Sequence, residues 1–317
     1  MRKRIIWSTL LVGLIACSNQ IANNSSSESE TLNEVTLPST PENYALGYNL
    51  GAPDVTMKLS KKLEEISGLS MSKDGQQLVA IEDENGKVYL LDKTTGEIQQ
   101  DFTFWKSGDY EGVEVVGSDI YVLKSSGTLY RISKPGETDQ VVEKYNNVLD
   151  QDNDVEGLAY DQANHRLLLA CKAKAGDGEA FQAKKGIYAF DLQTLTLQEN
   201  PAYVISLPDI HDYLETAPAI RKLEKLAEMF APGQSDLTFA PSGIAIHPIT
   251  KDIFIISSVG KVLLVLSASG KLLHIEKMSK EVHPQPEGIC FDEKGNLYIA
   301  NEGKGGTGKI FRFDYSH

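Results

Sequence analysis

The sequence predicts an all-β fold, a β-propeller built from four-stranded blades, on three observations. Five segments repeat one pattern, in which a serine or a glutamate precedes a glycine and the start of an apolar strand. Three of the four intervals between these glycines are 44 or 45 residues long. Each repeat continues with further short apolar strands, separated by turns such as Lys73-Asp74-Gly75. Four short strands in about 45 residues are the signature of a propeller blade.

The repeated motif places one polar residue and one glycine near the start of the first strand of each unit. Its five copies are Ser67-Gly68, Glu111-Gly112, Glu156-Gly157, Ser242-Gly243 and Glu287-Gly288. A second, a third and a more polar fourth strand follow; in the first repeat they read QQLVAIE, KVYLLD and EIQQDFTF. One unit cannot bury both faces of its sheet, so neighbouring units are expected to stack and the ring to close.

The last repeat lacks a fourth strand, because the sequence ends at His317 after only three. We expect residues 55–63 (VTMKLSKKL), which precede the first motif, to supply the missing strand. Joining both ends of the chain in one blade would remove the free sheet edge of an open array.

The 86-residue interval between Gly157 and Gly243 leaves room for a sixth blade or for an insertion. Residues 208–234 favour an insertion, because apolar residues recur there at the three- and four-residue spacing of a helix. These residues are Ile220, Leu223, Leu226, Ala227 and Phe230. We therefore predict five blades with one helical insertion, and six blades is the alternative.

The N-terminal segment predicts export and lipid attachment. Residues 1–16 combine a basic start with an apolar run too short to span a bilayer, as in a signal peptide. The run ends in Leu14-Ile15-Ala16-Cys17, which resembles the bacterial lipobox and predicts lipidation of Cys17; an ordinary secretory signal is the alternative. Ser18 rather than aspartate follows, which favours the outer membrane, on its periplasmic or its outer side. The polar residues 17–45 are expected to form a disordered tether to a propeller domain at 46–317.

The negative net charge of the chain limits the classes of partner that we expect it to bind. The full sequence carries a net charge of −13, and without residues 1–16 it has 28 basic and 44 acidic residues. Such an acidic domain repels phosphate backbones, so nucleic acid is not an expected partner. The expected partners are the membrane, through the lipid, and an unidentified small molecule, glycan or protein bound by a monomer.

Several phrases of the repeats resemble the SdiA-regulated domain proteins, a family of bacterial envelope propellers. They include NDVEGLAYD, PSGIAIHPITKDIFIIS and QPEGICFDEKGNLYIANEG, and the resemblance runs from about Leu63 to Tyr315. It implies a propeller without an established reaction. The chain is similar, more distantly, to phytase-like and gluconolactonase-like propellers, and that similarity implies calcium or another divalent metal in the central channel.

The polar residues of the five motifs form the candidate site, because the innermost strand of each blade lines the axial channel. Pseudo-symmetry is expected to point Ser67, Glu111, Glu156, Ser242 and Glu287 towards the axis. The three glutamates would repel one another there unless protonation, a basic partner or a cation relieved the repulsion. Calcium accepts such oxygen ligands, so Glu111, Glu156 and Glu287 are the predicted metal ligands. A purely structural role in the turns and a catalytic carboxylate are the alternatives.

A second polar ring is expected where the second strands end. Its members are Asp83, Lys124, Lys172, Ser258 and Asn301, and the two lysines could neutralise the glutamates instead of a metal. No catalytic residue is predicted. The expected function is therefore a lipid-anchored module that binds a ligand or partner, with a divalent cation in its channel. The alternative is a metal-dependent hydrolase of lactones or phosphate esters.

Overall fold

The computed structural model describes residues 32–39, 44–216, 223–231 and 238–316. These residues form five antiparallel sheets, which are the five blades that the sequence predicts. The six-blade alternative is therefore wrong. The predicted signal peptide and Cys17 lie outside the described residues. Within the described part of the chain, no helix is long and apolar enough to cross a membrane.

The first two blades follow an opening strand and a short 3-10 helix. In chain order the elements are β1 (Val55–Lys58), the 3-10 helix (Lys61–Leu63), β2 (Ile66–Met71), β3 (Gln77–Glu82), β4 (Lys87–Asp92), β5 (Ile98–Thr103), β6 (Tyr110–Val116), β7 (Asp119–Lys124), β8 (Leu129–Ser133) and β9 (Val141–Tyr145). Blade 1 contains β2 to β5 and blade 2 contains β6 to β9, each with its strands in sequential order.

Blade 3 has an outer strand in two pieces, both paired with its third strand. Its elements are β10 (Val155–Asp161), β11 (Arg166–Cys171), a 3-10 helix (Glu179–Phe181), β12 (Lys184–Asp191), β13 (Thr196–Leu197) and β14 (Tyr203–Ser206). Two helices follow, α1 (Leu207–Thr216) and α2 (Leu223–Phe230). The last two blades are built from β15 (Ala240–Ile246), β16 (Ile253–Val259), β17 (Val262–Leu266), β18 (Leu272–Lys277), β19 (Pro286–Phe291), β20 (Leu297–Asn301) and β21 (Lys309–Phe313).

The ring closes within blade 5, as the sequence predicts. Strand β1 pairs antiparallel with β21, so that Val55 lies opposite Arg312 and Lys58 lies opposite Lys309. Blade 5 thus takes its outer strand from the beginning of the domain and its other three strands from the end. This pairing covers the edge of β21, which would otherwise be left open.

The glycine of each motif is required by packing between neighbouring inner strands. A methyl group added at Gly68 would lie 2.9 Å from the backbone nitrogen of Val113, and one added at Gly243 would lie 2.3 Å from the backbone oxygen of Glu287. The other three glycines meet the following blade in the same way, Gly112 at Leu158, Gly157 at Ile244 and Gly288 at Leu69. The last contact returns to blade 1, so the motif holds all five inner strands close to the axis.

The helical insertion lies between blades 3 and 4 and joins their shared core, which confirms an insertion in place of a sixth blade. The buried side chains of Ile210, Leu214, Leu226, Ala227 and Phe230 belong to one apolar cluster with residues of both blades. The periodic apolar residues on which the prediction rests begin only at Ile220. Residues 217–222 lie outside the described part, and a separate helix, α1, precedes them.

Residues 32–39, which the sequence assigned to the tether, lie against the outer strands of blades 3 and 4. The amide of Val35 donates to the carbonyl of Val204 at 2.8 Å, and Thr36 accepts from the amide of Leu272 at 2.8 Å. Val35 also packs against the apolar cluster of blades 3 and 4. The exposed edges of these two strands offer unpaired backbone groups, and the short apolar stretch around Val35 satisfies them. This part of the predicted disordered tether is therefore docked on the propeller.

Candidate functional site

The five polar residues of the motifs converge on the neck of the central channel, as pseudo-symmetry predicts. Ser67, Glu111, Glu156, Ser242 and Glu287 line one small cavity together with the adjacent glycines and apolar residues. The cavity has a volume of about 10 Å³. That is about the minimum space that one water molecule needs, so the neck admits little more than a water or a small ion.

A β-bulge brings each of these side chains to the axis. The pairing of every inner strand with its second strand shifts at the motif: between Ile66 and Gly68 in blade 1, and at the corresponding residues of the other four blades. A bulge leaves one residue out of the hydrogen-bond ladder and redirects its side chain. The repeated polar residue lies at this position, which explains why it can differ in character from the apolar strand around it.

The two serines of the ring bond to the neighbouring blade. The Ser67 hydroxyl donates to the carbonyl of Tyr110 at 2.7 Å, and the Ser242 hydroxyl donates to the carbonyl of Pro286 at 2.7 Å. Both residues are almost completely buried. These contacts are structural, as one of the alternatives for the motif predicts. Of the five motif residues, the three glutamates are therefore the candidates for binding a ligand.

Burial and mutual repulsion raise the pKa of each of the three ring glutamates. Burial, together with the charges of Glu156, Asp109 and Glu287, raises the pKa of Glu111 to about 10. Burial and the charges of Glu156 and Glu302 raise the pKa of Glu287 well above its ordinary value. Burial also raises the pKa of Glu156 to about 7, although the nearby Lys172 opposes the rise. At neutral pH the ring therefore holds fewer negative charges than its three carboxyl groups would suggest.

Lys172 supplies the positive charge nearest to the ring. Its ammonium group donates to Oε1 of Glu156 and lies 3.8 Å from a carboxylate oxygen of Asp154. Burial alone would lower the pKa of Lys172, but the attraction and hydrogen bond of Glu156 outweigh burial and raise it. Lys124, the other lysine of the predicted second ring, instead lines a separate cavity of about 460 Å³ with Thr128 and Asn147. Lys124 pairs with Tyr110 within β7, whereas Lys172 follows the end of β11, where Cys171 pairs with the corresponding Val155. The sequence treated the two lysines as equivalent, because the spacing of the repeats does not reveal this difference of one residue.

The second polar ring contains buried atoms that lack hydrogen-bond partners. They are Oδ1 of Asp83 and both polar side-chain atoms of Asn301; Oε2 of Glu156, in the first ring, is a further such atom. Ser258, the remaining member, is buried at the end of β16. Burial and the charges of Glu65, Glu82 and Glu302 raise the pKa of Asp83 to about 6. Buried polar atoms are nearly always paired, so these atoms are available to bind a water, an ion or a ligand at this end of the channel, the acidic mouth.

Four further acids surround this mouth and were missed as site residues. Glu302, directly after Asn301, accepts a hydrogen bond from Gln285 at 2.5 Å, and its charge reaches Glu156 and Glu287. The other three lie two residues before a ring residue in blades 1, 2 and 3: Glu65, Asp109 and Asp154. The signal that could have found them is this repeated spacing, which is visible once the five motifs are aligned.

The predicted calcium ligands do not form a finished cage. Among the described residues, no group of three or more histidine, cysteine, aspartate or glutamate side chains has an arrangement that could hold a metal ion. Glu156 shares one of its oxygens with Lys172, while its other oxygen is unpaired. Calcium at Glu111, Glu156 and Glu287 therefore remains a prediction.

The two histidines near the motifs of blades 4 and 5 serve packing. His247 lies 2.9 Å from the hydroxyl of Tyr48, and His283 lies 3.1 Å from the carbonyl of Leu50. Both histidines are fully buried, and burial lowers the pKa of His283 to about 4.

Replacing Glu111 by glutamine is expected to stabilise the protein at alkaline pH. Glu111 has a raised pKa in the folded state, so the fold binds a proton that the unfolded chain releases above about pH 4.3. Wild-type stability therefore falls as the pH rises from about 5 towards 10, whereas a glutamine contributes no such loss. We expect Glu111→Gln to match the wild type at about pH 5 and to exceed it by at least about 1 kcal/mol at about pH 9. Denaturant unfolding with a chelator at both pH values checks this, and equal pH dependences of the two proteins would refute it.

Comparisons with known proteins agree with this architecture. A family model described as SdiA-regulated matches residues 50–179 and 214–304. The solved structure of Myxococcus xanthus glutaminyl cyclase is 12% identical with a TM-score of 0.52, over 84% of this chain and 97% of that one. A gluconolactonase from Xanthomonas campestris is 14% identical with a TM-score of 0.45, over 78% of this chain and 72% of that one.

The family model establishes the family, the cyclase structure shares the fold, and neither shows an activity. At this identity the likeness to the cyclase supports the shared fold alone. No curated protein matches the chain significantly. The family model covers more than half of the residues and includes the motifs of all five blades. The chain therefore belongs to the SdiA-regulated family.

Proposed function

We propose that this protein is a binding module of the bacterial envelope, anchored through a lipid on Cys17, whose acidic channel mouth binds a divalent cation, calcium being the first candidate. The observation that carries the proposal is the set of buried oxygen atoms without partners at this mouth: Asp83 Oδ1, Glu156 Oε2 and Asn301 Oδ1. Oxygen atoms of carboxylates and amides are the ligands that calcium prefers.

The charge around the mouth favours a cation over an anion. Glu111, Glu156, Glu287 and Glu302 influence one another electrostatically, and Lys172 is the positive group that acts on all of them. Each raised pKa means that a negative charge is costly in this place. A bound cation would remove that cost and would let the carboxyl groups release their protons.

The donor atoms at this mouth are of the chemical kind that calcium binds. Asp83, Glu156 and Asn301 would supply oxygen ligands, and waters or backbone carbonyls would supply the rest, because calcium tolerates varied coordination. The cation would provide charge compensation there. Lys172 already compensates Glu156, so this lysine competes with calcium for the same carboxylate.

The ring offers little support for a hydrolase. A general base must be ionised near the working pH. Glu111 retains its proton at neutral pH, since its pKa is about 10, and Glu156 is held by Lys172. The protonation of Glu111 and the contact between Glu156 and Lys172 therefore favour a role in binding over a role in catalysis.

Calorimetric titration of the purified protein with calcium tests the cation site. We expect one calcium per chain, and Glu156→Gln is expected to bind at least about tenfold more weakly, because one anionic ligand is lost. Glu97→Gln, which changes an exposed glutamate outside the site, serves as the matched control and should bind like the wild type. The absence of heat with the wild type, or an unchanged affinity in Glu156→Gln, would contradict the proposal.

The lipid anchor has a separate test. Cells that express the full chain are labelled with a radioactive fatty acid, and the wild type is compared with Cys17→Ala. We expect label in the wild-type protein alone, and equal labelling of both proteins would refute the anchor at this residue.

A further inference from the structure

A second cavity lies at the opposite end of the inner strands from the glutamate ring. Its volume is about 570 Å³, and its wall includes residues from the ends of all five inner strands, among them Ser70, Glu114, Tyr160, Ile246 and Phe291. Cavities of about 300–1,000 Å³ are typical of small-molecule sites. The neck at the ring, with about 10 Å³, separates this cavity from the acidic mouth.

One carboxylate at the inner wall of the cavity has an unused acceptor position. Oε1 of Glu114 accepts from the hydroxyl of Ser70 at 2.6 Å and from its neighbouring amide, Val115, at 2.9 Å. Oε2 accepts from the amide of Tyr160 alone, at 3.1 Å. An ionised carboxylate offers about four acceptor positions, so Oε2 can accept one more hydrogen bond from the cavity.

The charge of Glu114 is not compensated within the described part of the chain. Among the described residues, no lysine, arginine or histidine forms an ion pair with it. Lys251, which also lines the cavity, donates to the carbonyl of Pro248, and Arg166 is bound to Asp161 behind the wall. Burial raises the pKa of Glu114, although its three hydrogen bonds oppose the rise.

Part of the remaining wall can pack against an apolar part of a ligand. Met71, Ile246 and Phe291 contribute apolar side chains, and Tyr160 and Tyr203 contribute aromatic rings. Tyr203 is held in place, because its hydroxyl donates to the carbonyl of Ala268 at 2.9 Å. A ligand here would therefore meet Glu114 at the inner wall with these apolar and aromatic side chains beside it, and the polar side chains of Asp161, Lys251 and Glu293 elsewhere in the lining.

We propose that this cavity binds a small organic cation, a primary ammonium group on an apolar body, with the ammonium group donating to Oε2 of Glu114. This site is distinct from the cation site at the other mouth. It does not depend on calcium or on the glutamate ring.

Calorimetric titration with benzylamine and with benzyl alcohol, its neutral analogue, tests the proposal on the purified protein. We expect benzylamine to bind at least about tenfold more tightly than the alcohol, because only the amine carries a charge for Glu114. Glu114→Gln should remove this preference. Equal binding of the two compounds by the wild type would overturn the proposal.

A second pair of variants covers the case in which Glu114→Gln does not fold, since Glu114 links three blades. Ala163 is exposed in a loop that lines the cavity, so Ala163→Trp should block it and abolish benzylamine binding. Lys73→Trp places the same side chain in the corresponding loop of blade 1, outside the cavity wall, and should bind like the wild type. Unchanged benzylamine binding in Ala163→Trp would overturn the proposal.

The same titrations distinguish the two sites. Glu156→Gln should bind calcium more weakly and keep its benzylamine binding, whereas Ala163→Trp should lose benzylamine binding and keep its calcium affinity. Loss of benzylamine binding in Glu156→Gln would place the amine at the acidic mouth and overturn the proposal for this cavity.

Discussion

Replacing Gly243 by alanine is expected to destabilise the folded protein by about 3 kcal/mol, because the added methyl group has no space. It would lie 2.3 Å from the backbone oxygen of Glu287 and 3.0 Å from a side-chain carbon of Ile289. A backbone atom of the neighbouring inner strand cannot yield as the end of a flexible side chain can. The strain would fall between blades 4 and 5, close to the glutamate ring.

Denaturant unfolding measures this loss, with Gly51→Ala as the matched control. Gly51 is exposed, and a methyl group there would have only an ordinary contact at 3.5 Å with the side chain of Asn49. We expect the control to unfold within about 0.5 kcal/mol of the wild type. Similar stabilities of Gly243→Ala and the control would show that the motif glycine is not required by packing between the blades.

Replacing Lys172 by methionine is expected to destabilise the protein by about 2 kcal/mol at about pH 8 and by less at about pH 5. Methionine retains an apolar side chain but removes the ammonium group that Glu156 binds, and Glu156 is nearly completely buried. The loss of stability is smaller than for a fully buried ion pair, because Lys172 is partly exposed and Glu156 can take up a proton. Without Lys172 the pKa of Glu156 rises further, so the loss of stability grows as the pH rises through about 7.

Thermal unfolding at the two pH values checks this prediction, with Lys174→Met as the matched control. Lys174 pairs with Asp152 on the surface, where both side chains are largely exposed, so its removal should change stability little. Calcium should stabilise Lys172→Met more than the wild type, because its competitor at Glu156 is gone. Equal losses in the two variants, or a calcium effect no larger than in the wild type, would contradict the account of the mouth.

The sequence predicts most of the fold because the propeller repeats one unit five times. Motif spacing located the inner strands, and the missing outer strand of the last repeat predicted the closure by β1. The docking of residues 32–39 could not be predicted from composition, because it depends on which outer strand edges are open to pairing. The polar composition of residues 17–45 by itself predicted a disordered tether for this whole segment.

The site was predictable only where it follows the repeat. Ring residues occupy equivalent positions, so their convergence followed from pseudo-symmetry. Glu114 gave no such signal, because the same position holds Ser70, Ala159, Ala245 and Cys290 in the other blades. The choice between Lys124 and Lys172, and the unpaired atoms of Asp83 and Asn301, depend on side-chain directions that spacing does not encode.

The most direct test of the cation site is an anomalous difference map from a crystal of the protein grown with terbium in place of calcium. We expect a peak at the mouth where the inner strands begin, within coordination distance of Glu156 and Asn301. A map without a peak at this mouth, at a terbium concentration that saturates binding in solution, would contradict it.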